Sequence, residues 1–353
     1  MQQTNQIDEL LNLLTYPAFS VADGIVTKVN RAAAQRQIAP GMEIASLLHT
    51  GKDTYRTFTD GRLHLRLCIA DTLWNASVTK AMGADIFLLE NMVDSQDLRM
   101  LSLAALQFRS PLSEIILLAD KLYNDDEMKD SDIPEKLNRS LLAMQRLVGN
   151  MADAPRYSKS LNCHMQTRDI VAYVREILEK SKTLIEASGY RFDFTVPGEI
   201  QFVPFSAERL ERAIYNMLSN ALKFSPVGST ITAKLEKCGE MLMFTVSDEG
   251  PGLPENMTGN IFTRYLREPV IEDSRFGMGL GMLLVCSTAS VHGGTVLIRQ
   301  PEGKGLCVTM TLSAQPGAPG DIRSNIMHVD YSGGHDHALL ELSDALASEL
   351  YRQ

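Results

Sequence analysis

The sequence predicts a multi-domain α+β protein composed of a small α+β unit, an antiparallel two-helix hairpin and an α/β sandwich. Apolar and polar residues alternate between turn signals in residues 1–90, and apolar spacings of three and four follow in residues 92–157. Helical and strand patterns then alternate in residues 160–314. A chain of 353 residues with 44% hydrophobic composition has enough apolar material for two or three packed units.

Composition and charge narrow the classes of partner. The 43 acidic and 34 basic residues give a formal net charge of -9, without any Lys/Arg-rich run, so we expect no nucleic acid partner. No apolar stretch approaches the roughly 20 residues that cross a bilayer, so we expect no membrane insertion. Five scattered cysteines without a Cys-x-x-Cys pair indicate a reducing compartment. We therefore predict a cytoplasmic protein.

Residues 1–90 carry the signals of a small α+β domain. A helix over 9–15 precedes a two-stranded hairpin over 18–30, which an Asp-Gly turn indicates. Asn30 is placed to cap a short following helix, and strands from 62 to 89 complete the unit. This order of elements resembles a PAS sensor domain.

Residues 92–157 predict two long helices. Over 94–124 the apolar residues recur at alternating spacings of three and four, which is typical of a helix with a coiled-coil-like seam. This first seam consists of Leu98, Leu101, Ala105, Phe108, Leu112, Ile115, Ala119 and Leu122.

A second helix follows a polar turn. Asp132 and Glu135 have the spacing of a capping box, and Pro155 predicts the end of the helix. The second seam consists of Leu137, Leu141, Met144, Val148 and Met151. Because a two-helix hairpin still exposes apolar surface, we predict a homodimer in which two hairpins form a four-helix bundle.

Residues 160–314 predict the α/β sandwich, and residues 315–353 predict a linker followed by a C-terminal amphipathic helix. The main elements expected in the sandwich are helices over 169–187, 207–224 and 280–292 and a strand hairpin over 230–247. The apolar face of the terminal helix would carry Leu339, Leu342, Leu346 and Leu350.

The helix over 207–224 places polar groups on one face. Asn216, Asn220 and Lys223 share that face because they lie at helical spacings. Amide oxygens suit a hard divalent cation and an ammonium suits phosphate oxygens, so this face fits Mg-ATP. Taken alone, such a face is more often ordinary solvated surface.

Two glycine-containing segments follow. Asp248 stands at the end of a predicted strand and could accept a hydrogen bond from an adenine amino group, while Gly250 and Gly252 let backbone approach the base. Residues 276–281 open a helix whose free N–H groups favour phosphate. Each segment is weak alone, since turns and glycine-rich loops are common.

The order of these segments resembles the ATP-binding domain of sensor histidine kinases, with His292-Gly-Gly294 following before a strand. The resemblance covers residues 95–314 and implies ATP and Mg as cofactors, an ATP lid over 253–276 and a further family motif at 261–267. The nucleotide residues that it implies are Asn216 on Mg, Asn220 and Lys223 on the phosphates, Phe224 in the adenine pocket, Asp248, Gly250 and Gly252 on the base, and Gly277, Gly279, Leu280 and Gly281 on the phosphate side.

ATP hydrolysis is disfavoured as the main activity. The wider superfamily includes gyrase, mismatch-repair and chaperone ATPases, which use a glutamate at the position of Asn216 to activate water. An amide cannot act as a general base near neutral pH. The same difference argues against the anti-sigma serine kinases.

The phosphoacceptor block of the family is degenerate in this chain. Residues 106–112 read LQFRSPL where the family has His-Glu-Leu-Arg-Thr-Pro-Leu, so Leu106 replaces the histidine and Gln107 replaces the assisting glutamate. Leucine has no nucleophile and glutamine takes no proton. Because no histidine lies between His64 and His164, a neighbouring acceptor is also absent from the hairpin. We predict a pseudokinase that controls a response regulator without autophosphorylation on its own hairpin.

Other functions remain open at this stage. Ser110 stands where the family's phosphatase activity uses a hydroxyl or amide to orient water, although it could simply be the residue before a proline. A response-regulator phosphatase, a kinase acting on a partner's histidine and a non-enzymatic dimeric scaffold are the alternatives. The tail residues His328, Asp330, His335, Asp336 and His337 could bind a metal, but a solvated loop is the commoner outcome.

Overall fold

The architecture is mixed α+β and is built around a long sheet. The computed structural model describes residues 2–14, 16–81, 83–90, 105, 108, 112, 115, 116, 119, 133–158, 163–252, 280–301, 305–316 and 334–352. None of the helices within these ranges is long and apolar enough to cross a membrane.

The amino-terminal unit contains five antiparallel strands and short helices. Its strands are β1 (Ala18–Ala22), β2 (Ile25–Val29), β3 (Arg62–Ile69), β4 (Thr72–Ala81) and β5 (Ala84–Glu90). Its helices are α1 (Gln2–Leu13), α2 (Arg31–Ala34), α3 (Ile44–Leu47) and α4 (Lys52–Arg56). The predicted hairpin and later strands are therefore confirmed, whereas α1 begins earlier than the expected 9–15.

Asn30 explains how this unit begins. Its Oδ1 atom accepts hydrogen bonds from the N–H groups of Ala33, in the first turn of α2, and Ala18, which starts β1. Its Nδ2 atom donates to the carbonyls of Leu11 and Tyr16. The predicted cap is confirmed, and the same side chain also joins three elements.

The second helix of the hairpin, α5 (Ile133–Ser158), continues through Pro155. The predicted end before this proline is wrong. A proline near the C-terminal end of a helix removes one backbone hydrogen bond of that helix. Burial of the preceding Ala154, which is 1% exposed, favours the helical path. Asp132 of the expected capping box lies outside the described residues.

The first helix of the hairpin is described at 105, 108, 112, 115, 116 and 119, and the rest of its expected span lies outside the described residues. Its seam divides into two faces. Ala105, Leu112 and Ala119 pack with Leu141 and Val148 of α5 in one buried cluster. Among the described seam residues, Phe108, Ile115 and Met144 are exposed. The predicted homodimer stays a prediction.

In the described part of the carboxyl-terminal half, strands of two sheets pack with three longer helices. Its strands are β6 (Gln166–Asp169), β7 (Arg191–Thr195), β8 (Phe202–Phe205), β9 (Thr230–Cys238), β10 (Met241–Ser247), β11 (Val296–Arg299) and β12 (Cys307–Ser313). Its helices are α6 (Ile170–Ala187), α7 (Ala207–Phe224) and α8 (Leu280–Val291), which agree closely with the predicted spans. The helices and strands share one hydrophobic core.

One sheet connects both halves among the described residues. Its strand order is β2-β1-β5-β4-β3-β11-β12-β10-β9-β7, and β6 pairs separately with β8. The connection is the antiparallel pair of β3 with β11, in which Leu63 faces Leu297. Leu297 also belongs to the amino-terminal core, so the two halves share apolar packing as well as hydrogen bonds.

The tail does not form the single amphipathic helix that was predicted. It contains a short helix, α9 (His337–Glu341), and a 3-10 turn at Ser348–Tyr351. Leu340 and Leu342 are both buried although they lie two positions apart, so protein surrounds the chain on more than one side. Packing on several sides favours a folded segment over a straight helix with one apolar face. The predicted linker residues 317–320 lie outside the described ranges.

Candidate nucleotide site

Helix α7 provides the amide face that the sequence predicted, but much of that face is covered. Asn216 is 3% exposed. Its Nδ2 atom donates to the Arg212 carbonyl at 2.7 Å, and its Oδ1 atom accepts from Nη2 of Arg146 at 3.0 Å. Asn220 lies one turn later and is partly exposed. The contact with Arg146 holds the Asn216 oxygen in one position.

Asp248 directly follows β10. Its Oδ1 atom accepts hydrogen bonds from the N–H groups of Gly250 at 2.8 Å and Leu306 at 3.2 Å. Burial raises the pKa of Asp248, while these two hydrogen bonds act in the opposite direction. The backbone thus fixes one carboxylate oxygen and the orientation of the whole group, which leaves Oδ2 to accept a further hydrogen bond.

Two glycines allow the elements of this site to approach each other. A Cβ atom on Gly250 would lie 2.7 Å from the Phe224 carbonyl oxygen and 2.9 Å from Oδ1 of Asp248. A Cβ atom on Gly281 would lie 2.5 Å from Oδ1 of Asn216. The structure therefore brings together the end of α7, the turn after β10 and the start of α8.

Gly252 has a left-handed φ of 75°, which an L side chain rarely adopts. A Cβ atom there would also lie 2.3 Å from Nε2 of Gln300. Leu280 is buried at the start of α8. The remaining predicted residues, Gly277 and Gly279 with the expected lid over 253–276, lie outside the described residues. The same holds for the hairpin positions Leu106, Gln107 and Ser110.

Lys223, the predicted phosphate ligand, forms an ion pair with Asp344 of the tail. Asp344 also accepts a hydrogen bond from the Ser219 hydroxyl at 2.8 Å and pairs with Arg146. Burial opposes the ionisation of Asp344, but Arg146 and Lys223 together hold the pKa of this carboxyl below its usual value. No motif marked Arg146 or Asp344 in the sequence, because opposite charge at long separation has no local signature.

Two of the predicted metal ligands in the tail, His337 and Asp336, have structural partners. Nδ1 of His337 lies 3.1 Å from Oε1 of Glu211, and Asp336 accepts a hydrogen bond from the Leu339 N–H at 3.0 Å as the cap of α9. Within the described ranges no group of three or more His, Cys, Asp or Glu residues could hold a metal ion. His328 and Asp330 lie outside those ranges. His337 therefore joins the tail to α7, and Asp336 caps α9.

Sequence reasoning noted His292 as part of a motif but missed its role. Its Nε2 atom accepts from the Ser206 N–H at 3.0 Å, and Nδ1 lies 2.6 Å from the Thr288 carbonyl. Burial lowers the pKa of His292 to about 4. The neutral ring joins the end of α8 to the start of α7.

Residues 206–316 match the family of histidine kinase-, DNA gyrase B-, and HSP90-like ATPases, a span that contains both Asn216 and Asp248. The adaptive-response sensory kinase SasA of Prochlorococcus marinus is 26% identical over 227 residues, which are 64% of this chain and 58% of that protein. Residues 206–316 therefore carry an ATPase domain of this family.

Two further proteins are similar to this chain. The hybrid signal transduction histidine kinase D of Dictyostelium discoideum is 32% identical over 228 residues, which are 60% of this chain and 14% of that protein. The crystal structure of full-length ShkA in complex with AMPPNP has a similar fold, with a TM-score of 0.50 and 21% identity over 63% of this chain and 47% of that chain. The matched region spans less than two thirds of the length of SasA and of histidine kinase D.

Proposed function

We propose that this chain is a histidine-kinase-like signal-transduction protein that binds Mg-ATP and controls a response regulator. The observation that carries the proposal is the Asp248 carboxylate, which the N–H groups of Gly250 and Leu306 fix at one oxygen. A carboxylate held in this way is suited to accept a hydrogen bond from the exocyclic amine of adenine at its other oxygen. A Cβ atom on Gly250 would fill the space beside it.

The other predicted ligands would act at the phosphate end. Asn216 would hold Mg through its amide oxygen, Asn220 and Lys223 would meet phosphate oxygens, and Phe224 would line the adenine pocket. When bound, Mg would neutralise phosphate charge. Because Asn216 is an amide, it would position groups without activating water as a base.

We propose that the bound nucleotide controls the conformation of the hairpin instead of phosphorylating it. Leu106 and Gln107 supply neither a nucleophile nor a base at the acceptor position. The exposed seam residues Phe108, Ile115 and Met144 support a homodimer because together they leave apolar surface on the hairpin. Such a dimer would present the response regulator with a bundle whose shape depends on nucleotide.

Calorimetry of Mg-ATP binding to the purified chain tests the first part, with Asp248→Asn as the variant that removes the adenine acceptor. We expect binding that Asp248→Asn weakens at least tenfold. Labelled ATP in the same buffer tests the second part, and we expect no acid-labile phosphate on the protein. Self-labelling would disprove the pseudokinase mechanism, and absence of ATP binding would disprove the nucleotide function.

A dimeric scaffold with a purely structural pocket is the second candidate. The observation in its favour is that Asn216 and Lys223 already contact Arg146 and Asp344 of the same chain. A scaffold predicts that Asn216→Asp and Gly279→Ala leave control of the regulator intact. The phosphatase alternative predicts instead that Ser110→Ala abolishes dephosphorylation of the regulator.

A further inference from the structure

The tail packs between α5 and the ATPase domain. Arg139 Nε donates to the Ser343 carbonyl at 3.1 Å, and the Ala347 N–H donates to the Ser188 hydroxyl at 3.1 Å. Leu342 and Leu346 are buried in the core of the ATPase domain, with 0% and 1% exposure. The tail is therefore an integral part of this packed arrangement.

Two acidic residues of the tail meet the basic residues around the amide face of α7. Glu341 pairs with Arg146 at 3.0 Å and with Arg212 at 3.3 Å. Asp344 pairs with Arg146 and with Lys223. The Glu341, Arg146 and Arg212 side chains are at most 6% exposed, so little water screens these charges. The tail thus supplies two carboxylates to a nearly buried cationic cluster.

The same groups are those that the phosphate end of a nucleotide would need. The Lys223 ammonium pairs with Asp344, so a phosphate that bound Lys223 would bring a second anion beside this carboxylate. The Asn216 oxygen accepts from the Arg146 guanidinium, whose positive charge disfavours a divalent cation at that atom. Both conflicts place like charges close together in a poorly screened site.

From these contacts we propose that the tail, residues 336–351, is an autoinhibitory segment whose Asp344 competes with the nucleotide phosphates for Lys223. The docked tail and Mg-ATP then exclude each other at the phosphate end, while Asp248 at the adenine end stays accessible in both states. This inference rests on the proposed ATP-binding function. Release of the tail would also remove Glu341 and Asp344 from Arg146, which links the state of the site to α5 of the hairpin.

Calorimetry with Mg-AMPPNP tests the competition on the full chain. Asp344→Asn removes the competing charge with an isosteric side chain, and Glu349→Gln removes the same charge from an exposed position of the tail. We expect Asp344→Asn to bind at least tenfold more tightly than wild type and Glu349→Gln to match wild type. Equal affinity of Asp344→Asn and wild type, with both sensitive to Asp248→Asn, would overturn the tail proposal alone.

Hydrogen exchange on the wild-type protein provides a measurement that needs no variant in the tail. Because linkage is reciprocal, saturating Mg-AMPPNP should speed amide exchange at residues 337–351. Unchanged or slower exchange at saturation would overturn the competition. If neither wild type nor Asp344→Asn binds AMPPNP, the proposed nucleotide function fails and this inference fails with it.

Discussion

The backbone N–H of Ser206 donates to Nε2 of His292 at 3.0 Å, so a buried neutral imidazole joins the residue that precedes α7 to the residue that follows α8. Nδ1 carries the proton toward the Thr288 carbonyl at 2.6 Å. A proton on Nε2 would break the bond to Ser206. The start of the helix that bears Asn216 therefore depends on the charge of one histidine.

This dependence predicts an acid-sensitive stability. Burial lowers the pKa of His292 from 6.5 to about 4, so between these values the unfolded chain binds the proton that the folded chain rejects. The free energy of unfolding should fall as the pH drops from 6.5 to 4, by up to about 3 kcal/mol from this residue. Urea unfolding across that range should show a shallower pH slope for His292→Gln than for wild type. The exposed His49 is the control, and His49→Gln should keep the wild-type slope.

The junction between the two halves of the sheet predicts a glycine requirement. Gly61 has a φ of 82°, and a Cβ atom there would lie 2.3 Å from the Ile298 carbonyl oxygen across the β3–β11 pair. Gly83 has a similar φ of 78° with no atom within 4 Å, so Gly83→Ala measures the backbone cost alone. Gly61→Ala should lower the free energy of unfolding by about 1–3 kcal/mol more than Gly83→Ala. Equal losses in chemical denaturation would show that the strand contact does not restrict position 61.

The adenine end predicts a second glycine requirement, which concerns binding. Alanine at position 250 would press against the Phe224 carbonyl and the Asp248 carboxylate, and neither can move without disturbing the site. Gly198 is the control because a Cβ atom there meets no other atom within 4 Å. Gly250→Ala should weaken Mg-ATP binding at least tenfold in calorimetry, while Gly198→Ala should leave it unchanged. If Gly250→Ala bound Mg-ATP with wild-type affinity, the close approach of position 250 to Phe224 and Asp248 would not be required for binding.

The buried charges predict unequal costs for removing two basic residues. Arg212 is buried and pairs with Asp153 at 2.7 Å and with Glu341 at 3.3 Å, so Arg212→Met leaves carboxylates poorly compensated. We expect a loss of about 3 kcal/mol in the free energy of unfolding. Lys182 pairs with Glu186 at 3.6 Å on the surface, and Lys182→Met should cost at most about 0.5 kcal/mol. If Arg212→Met lost no more unfolding free energy than Lys182→Met, the buried ion pairs of Arg212 would stabilise the protein no more than a surface ion pair does.

Local patterns predicted most elements that surround the site. Asn30 was recognised as a cap, α7 was predicted over 207–224, and the strand before Asp248 was located, because helical period and turn chemistry depend on neighbouring residues. The end of α5 was predicted wrongly because Pro155 has a strong local preference that packing overrides. The order of the segments indicated that the end of α7 and the turn after β10 belong to one site. Only the structure shows how closely Gly250 approaches the Phe224 carbonyl.

The sequence by itself determined the fold class, the motif order typical of the ATPase domain and the absence of any histidine between His64 and His164, since these depend on residue identity, period and order. Only the tertiary structure shows that β3 pairs with β11 and that the tail forms two short helical segments instead of one helix. It alone shows that Asp344 forms an ion pair with Lys223. The Arg146–Glu341 contact, for example, connects residues 195 positions apart. Contacts at such separation depend on how whole elements pack and on which charges become buried together, and no local pattern encodes either.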